Sequence, residues 1–186
     1  MENKNNNNPS IFLTDYASYN EGTQFEFGHW IDLTDFNDSD ELNKYITNHF
    51  KKADKKSPID SYGTEREEIM ITDYENFPKS LYCESGGNFD NIFEWIDLCT
   101  EEELAVEFLL EQGLSFEEAM EKKENVNSYL NNSNSDLYEI VESYYPDAYN
   151  SENDYMTFDE ERFVKDCFTE FEFEGDNYLI CDSWNH

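Results

Sequence analysis

The side chains able to do chemistry in this 186-residue chain are overwhelmingly carboxylates: 44 Asp and Glu against 12 Lys and Arg and three His, a formal net charge of −32. Paired carboxylates can act as general acid and nucleophile or base, but with 44 of them some pair falls at glycosidase spacing by chance, and such a pair means nothing without a cleft. The histidines, His29, His49 and His186, stand in no HExxH pattern, and the chain has no GxSxG, P-loop or GxGxxG. "DFNDSDELNKYI" begins like a calcium loop and then fails, because position 6 is Asp40 instead of Gly and position 12 is Ile46 instead of Glu. Cys83, Cys99, Cys167 and Cys181 fall at no CxxC spacing, so a zinc site or disulfide framework is not expected and buried thiols are. These readings predict no enzyme, no metal and no cofactor.

The arrangement of the carboxylates is more informative than any pair. "TEEELAVEFLLEQ" (100–112), read as a helix, sets Glu103, Glu107 and Glu111 in one row at i, i+4, i+8. The row spans only about 80° of the wheel, and apolar residues fill most of the rest. Like charges at this spacing destabilise a helix by roughly 0.2–0.5 kcal/mol per pair, and no cation stands beside them in sequence. "TEFEFEGDNYLICD" repeats the device with period two: Phe171 and Phe173 on one side, Glu170, Glu172 and Glu174 on the other, with a turn expected at Gly175-Asp176. Some acids have candidate partners, Glu118 with Lys122 and Glu161 with Lys165.

The elements that must carry these rows follow from periodicity and punctuation. Residues 1–9 read as a disordered polar tail with no apolar signal region. "SIFLTDY" and "FEFGHWIDL" are expected strands with Gly22 near the turn, and "DSDELNKYITNHFKK" a helix through Leu42, Tyr45, Ile46 and Phe50. "KKADKKSP" reads as a solvated basic loop, and "EEIMITDYENFP" as a third strand through Ile69 and Ile71. After a hinge at "ESGGN", Phe89, Ile92, Phe93 and Ile96 mark a helix. Capping boxes Thr100/Glu103 and Ser115/Glu118 open two more, with Gly113 between them. "VNSYL" reads as a strand, "DLYEIVESYYP" as a helix on Leu137, Ile140, Val141 and Tyr144, and Thr157/Glu160 open a last helix before the hairpin. The fold class is α+β: a tail, an N-terminal α+β domain over 10–87, a helical domain over 88–125 and a C-terminal α+β domain over 126–186.

Bulk properties narrow the function. With 28 Tyr and Phe the chain is folded, not an acidic tail. Residues 1–60 are net −5, 61–150 net −18 and 151–186 net −9, so every part is acidic. No apolar run approaches ~20 residues, and an anionic surface is repelled by anionic lipid, so no membrane contact and a cytoplasmic location are expected. Self-repulsion on this scale costs stability. Three explanations remain: generic acid solvation, as a halophile needs; a basic partner such as a nucleoid or other DNA-binding protein; or a DNA-binding groove. Duplex DNA carries one charge per ~1.7 Å of axis, so −32 corresponds to about 16 base pairs, or ~54 Å.

Particular residues then add what composition cannot. "FLTDYASYNEGTQFEFGHWIDL" (12–33), with Tyr19, Asn20, Gly22, Gly28, Trp30, Ile31 and Asp32, resembles the opening of the ArdA antirestriction proteins. "EEIMITDYENF" (67–77), "SFEEAMEKKENV" and "FDEERFVKDCF" resemble later segments of the family, in its order. The Gly-to-Gly interval near residue 25 is longer than usual, residues 34–64 are expanded, and Phe158 replaces the usual tyrosine or isoleucine. The resemblance implies an elongated three-domain protein carried on mobile elements. It implies a homodimer through the C-terminal region that mimics bent DNA in the groove of type I restriction–modification enzymes without binding nucleic acid itself. The partner surface it implies comprises Glu103, Glu107, Glu111, Asp136, Glu139, Glu142, Glu170, Glu172 and Glu174, while Trp30, Tyr19 and Gly28 are expected to be structural, as core aromatics and a turn.

Overall fold

A computed structural model describes residues 8–60, 62, 63, 65, 66, 68–149 and 157–185. The chain is mixed helix and strand with two small antiparallel sheets, as an α+β class requires. It divides into two compact units, Met1–Leu98 and Cys99–His186. The expected domain boundaries at 87/88 and 125/126 do not coincide with this division.

In the first unit β1 (Ser10–Asp15) is flanked by β2 (His29–Asp32) and β3 (Ile69–Glu75). Period-two alternation places Ile11, Leu13 and Ile31 on one face, all buried. Phe12 and Trp30, paired across the strands, share the other face with rings 5.7 Å apart. Trp30 on that face is 43% exposed, and Tyr19 of the helix that follows β1 is 46% exposed, so neither is the core aromatic expected. Gly28 is structural, since a Cβ there would lie 2.2 Å from Gln24 O. It ends a short helix, α2 (Gln24–Phe27), which follows α1 (Tyr16–Asn20). The expected second strand therefore loses "FEF" to helix, because Thr23 O accepts from Glu26 N and Gln24 O from Gly28 N in the place of ladder bonds.

The helix α3 (Ser39–Lys56) is longer than its sequence reading, and the lysine run is its last turns instead of a loop. Two causes are visible. Ala53 continues the buried stripe Leu42, Ile46, Phe50, and the lysines lie at the end where the helix dipole favours cations. Pro9 O and the Asn8 amide are bonded to Leu33 N and Asp32, so the last two residues of the expected tail are held; residues 1–7 lie outside the described residues. "ESGGN" is tied to β3 through Glu84 O, which accepts from Ile71 N at 2.8 Å. The helix α4 (Phe89–Ile96) closes the unit, Ser39 Oγ donating to Asp90.

The second unit opens with α5 (Thr100–Glu111) and α6 (Phe116–Lys122). Then come β4 (Ser128–Leu130), α7 (Asn134–Tyr144), α8 (Glu160–Cys167), β5 (Phe168–Phe173) and β6 (Asp176–Cys181), with the sheet in the order β4-β6-β5. One sheet face carries Phe168 and Leu179 into a core with Ile140 and Val141 of α7 and Phe163 of α8. The other carries Phe171, whose ring meets Phe108 of α5 edge-on at 5.5 Å. The sheet is thus a middle layer with helices on both sides.

Two capping boxes shift. Glu102 reaches back to Cys99 N at 3.0 Å, so the cap is Cys99 and not Thr100. Asp159, not Thr157, caps α8 by accepting from Arg162 N, a carboxylate being favoured at a helix N-terminus. The Ser115/Glu118 box forms as expected. The hairpin turns at Glu174-Gly175, one residue early, with φ of 52° and 88°, the two positive angles a type I′ turn requires. The cysteines are free, and Cys83 and Cys99 are exposed, contrary to the expectation of buried thiols; both lie outside the strands and helices that build the cores.

Arg66 is the buried cation of the first unit. Its guanidinium donates to Asp54 at 2.6 Å, Ser57 O at 3.0 Å and Ser18 Oγ at 3.2 Å, and lies 3.5 Å from Asp15 Oδ2. Asp15 is 1% exposed and its Oδ2 has no hydrogen-bond partner among the described residues, so the Arg66 charge is what compensates it. Breaking a buried pair from one side costs on the order of 3–5 kcal/mol. Arg66→Leu is expected to lose about 3 kcal/mol in urea unfolding followed by tryptophan fluorescence, with part regained in Arg66→Leu/Asp15→Asn. A loss below about 1 kcal/mol would show that the pair does not hold this unit.

Candidate functional site: an acidic surface on the second unit

The second unit holds 24 acidic and 4 basic residues, net −20 of the total −32. One cluster of them is built on α5. Leu104, Ala105, Val106, Phe108 and Leu109 are all buried, which fixes the helix's rotation and leaves one strip for Glu103, Glu107 and Glu111. The strip is less open than its sequence reading: Glu111 is exposed, but Glu103 and Glu107 are only partly so. The helix packs on the sheet through Phe108, and the hairpin turn brings Glu174 into electrostatic reach of both Glu103 and Glu107. Glu174, at the turn that ends the second row, therefore joins the first row.

Burial, then Glu103, Glu111 and Glu174 in turn, push the Glu107 carboxyl up to about 7. Burial and Glu174 raise Glu103 as well. Among the described residues the ion pairs are Arg66–Asp15, Arg66–Asp54, Lys123–Glu102 and Arg162–Asp166, and none reaches this cluster. Lys123 instead sits 2.5 Å from Glu102 and, with Cys99 N–H, holds that carboxyl down at about 2. Neither expected pair, Glu118–Lys122 or Glu161–Lys165, is among the four; Glu118 instead accepts from Ser115 N at 2.9 Å.

The remaining expected surface residues divide. Glu139 and Glu142 are exposed on α7, whose Ile140 and Val141 face the core. Asp136 sits in the first turn of α7, and its Oδ2 accepts from Asn132 N and Ser133 N, so that oxygen serves the helix cap. Glu170 and Glu172 alternate with the Phe171 face, on the side of the sheet that α7 and α8 cover, away from α5. Sequence reasoning missed Glu160 and Glu161. They stand with Glu170 around a cleft beside α8, and the run of two acids opening that helix was the only signal for them.

Carboxylates, not a nucleophile and base, are what this surface offers. Among the described residues no group of three or more His, Cys, Asp and Glu is placed to hold a metal ion, and no helix is long and apolar enough to cross a membrane. The class so defined is an acidic α+β protein with carboxylates on both sides of the sheet of its second unit. Residues 11–178, nearly the whole chain, match the family described as antirestriction protein (ArdA), and the chain belongs to that family. No curated protein and no solved structure matches it.

The Glu107 shift fixes a sign. A carboxyl whose folded value is raised binds its proton more tightly in the folded state, so its contribution to stability is present below about 4.5 and is lost as pH rises through about 7. Glu107→Gln removes that loss. The variant's melting temperature should match the parent's near pH 5 and exceed it by roughly 2–5 °C at pH 8, allowing for solvent screening of a half-exposed group. An equal offset at both pH values would show that Glu107 does not titrate in this range.

Proposed function

We propose that the protein is a DNA-mimic antirestriction protein that occupies the DNA-binding groove of type I restriction–modification enzymes. Membership of the ArdA family supports the antirestriction role. The observation that carries the mimicry is the Glu103–Glu107–Glu111–Glu174 cluster, carboxylates kept adjacent without a cation among the described ion pairs. Such an arrangement is unfavourable alone and favourable against a basic groove. It acts by occupancy, so Glu139, Glu142, Glu170 and Glu172 add to the surface and no residue is catalytic. A cationic partner also draws Glu107 back toward its charged form, completing the surface only on binding.

Displacement of DNA by such a surface should weaken steeply with salt, as counterions on the basic groove are released. Each exposed charge contributes about 0.2–1 kcal/mol against a screened partner. Titration against an enzyme–DNA complex at several salt concentrations is therefore expected to find Glu107→Gln within about twofold of the parent. The Glu103, Glu107 and Glu111 triple Gln variant should be about tenfold weaker, with a shallower salt slope. Salt-independent inhibition, or abolition by one substitution in a folded variant, would sink the reading.

The family's elongated three-domain arrangement and homodimer belong to the same proposal. One chain matches about 16 base pairs of charge and two about twice that, closer to the reach of an enzyme reading a split site. Association must overcome like charge, and the aromatic-rich C-terminal third is the proposed interface. Sedimentation velocity at physiological salt should give a dimer of high frictional ratio; a compact monomer would refute this part alone.

A further inference from the structure

A surface that only imitates phosphates needs charge and nothing beneath it. The cleft beside α8 is different. It has a volume of about 490 Å³ and is walled by Leu137 of α7, Val164 of α8 and Phe168 of β5, with Glu160, Glu161 and Glu170 around it. Its make-up follows from two periodicities. On β5, Phe168 and Glu170 share a face; Phe168 is buried under α7 and α8, and Glu170, two residues on, is exposed. On α8, Glu160 and Glu161 in the first turn stand one turn before Val164 and Lys165.

The Tyr149 hydroxyl donates to Glu160 Oε1 at 2.6 Å and holds that carboxylate in place, leaving its second oxygen. Among the described residues Lys165 is the only cation lining the cleft, so three carboxylates against one leave it net negative. An anionic occupant is repelled by this rim. A wholly apolar one would strip water from the carboxylates without replacing it. A long alkyl stem ending in a cation satisfies both parts: the stem lies on Leu137, Val164 and Phe168 while the head meets the carboxylates.

We propose that this cleft receives a lysine or arginine side chain of the protein partner. The proposal rests on the reading that the partner presents a basic surface, and it adds a shape-dependent anchor to what charge alone supplies. An arginine is the better fit of the two, because its planar fork can engage two carboxylates and its head is more weakly hydrated.

Two measurements on the full-length chain test it. In the first, acetyl-arginine-methylamide and guanidinium chloride are titrated at matched ionic strength and methyl resonances are followed. Arginine should shift Leu137 and Val164 saturably, with guanidinium, which lacks the stem, at least several-fold weaker. No shift at these methyls, or equal shifts with both probes, would overturn the proposal. In the second, inhibition of a type I restriction–modification enzyme is compared across folded variants. Val164→Trp fills the cleft at constant charge and should weaken inhibition about tenfold. Lys165→Gln removes the competing cation and should strengthen it about twofold to threefold. Glu121→Gln, an exposed acid outside both the cleft and the surface named above, has the opposite charge effect and should stay within twofold of the parent. Val164→Trp inhibiting like the parent would overturn the anchor while leaving mimicry standing. If the parent fails to inhibit the enzyme at all, the mimicry reading falls, and the arginine titration, which needs neither variant nor enzyme, still decides the cleft.

Discussion

Like-charge repulsion is the constraint on which the rest of this molecule depends. Forty-four acids face twelve bases, and no arrangement of twelve cations can neutralise that surface. Cohesion must come from burial, and the chain is aromatic-rich accordingly. In the second unit Phe163 and Phe168 stack edge-on at 5.3 Å and Tyr144 meets both, while Phe108 joins Phe171 and Trp184 on the opposite face of the sheet. Large rings bury much area per residue fixed, which suits a chain with so few attractive charges. Of the scarce cations, Arg66 lies against buried Asp15, where a lone carboxylate would be costly, and Lys123 joins Glu102.

How much of this was legible from the sequence depended on whether the deciding interaction was local. The periodic elements were legible: the stripe Leu42, Ile46, Phe50, the buried faces of α5 and α7, and the alternation of the C-terminal hairpin all follow from spacing. Caps were legible to within one residue or two, because Ser, Thr, Asp and Cys near a helix start compete and the carboxylate three positions on selects among them. Asp159 won over Thr157 because its own carboxylate accepts from Arg162 N, while Glu102 returned to Cys99 in place of Glu103 to Thr100. Exposure was least legible. Trp30 looks like core in sequence, but it packs on Phe12 with much of its ring still exposed. The same limit applied to the site. The rows were visible as rows, but that Glu174 joins Glu103 and Glu107 depends on α5 docking on the sheet, and the cleft depends on α7 and α8 meeting β5.

Many of the carboxylates have local duties, and separating these from the rest sharpens the meaning of the surface. Asp15, Asp38 and Asp159 accept backbone N–H bonds as helix caps, and Glu102, Glu118 and Asp136 reach back to theirs. At a helix N-terminus a negative charge is favourable in its own right. An acid-rich chain can thus place a good part of its surplus where the backbone welcomes it, and those residues need no partner to explain them.

The row on α5 has no such excuse. It runs from the first turn to the last, so that Glu111 lies at the carbonyl end of the dipole, where an anion is disfavoured, and no basic residue occupies that last turn. Glu107 is half-buried beside three other carboxylates, which desolvates it and repels it together. Propensity, capping and packing all leave these positions free to be lysine or glutamine, since their neighbours Leu104, Phe108 and Leu109 already supply the core contacts. Among the described residues no ion pair offsets that cost, and the cationic partner proposed above is the kind of surface that would. Local physics therefore accounts for the acidity of the caps, and the acidity of the row is the part that the proposed intermolecular role is invoked to explain.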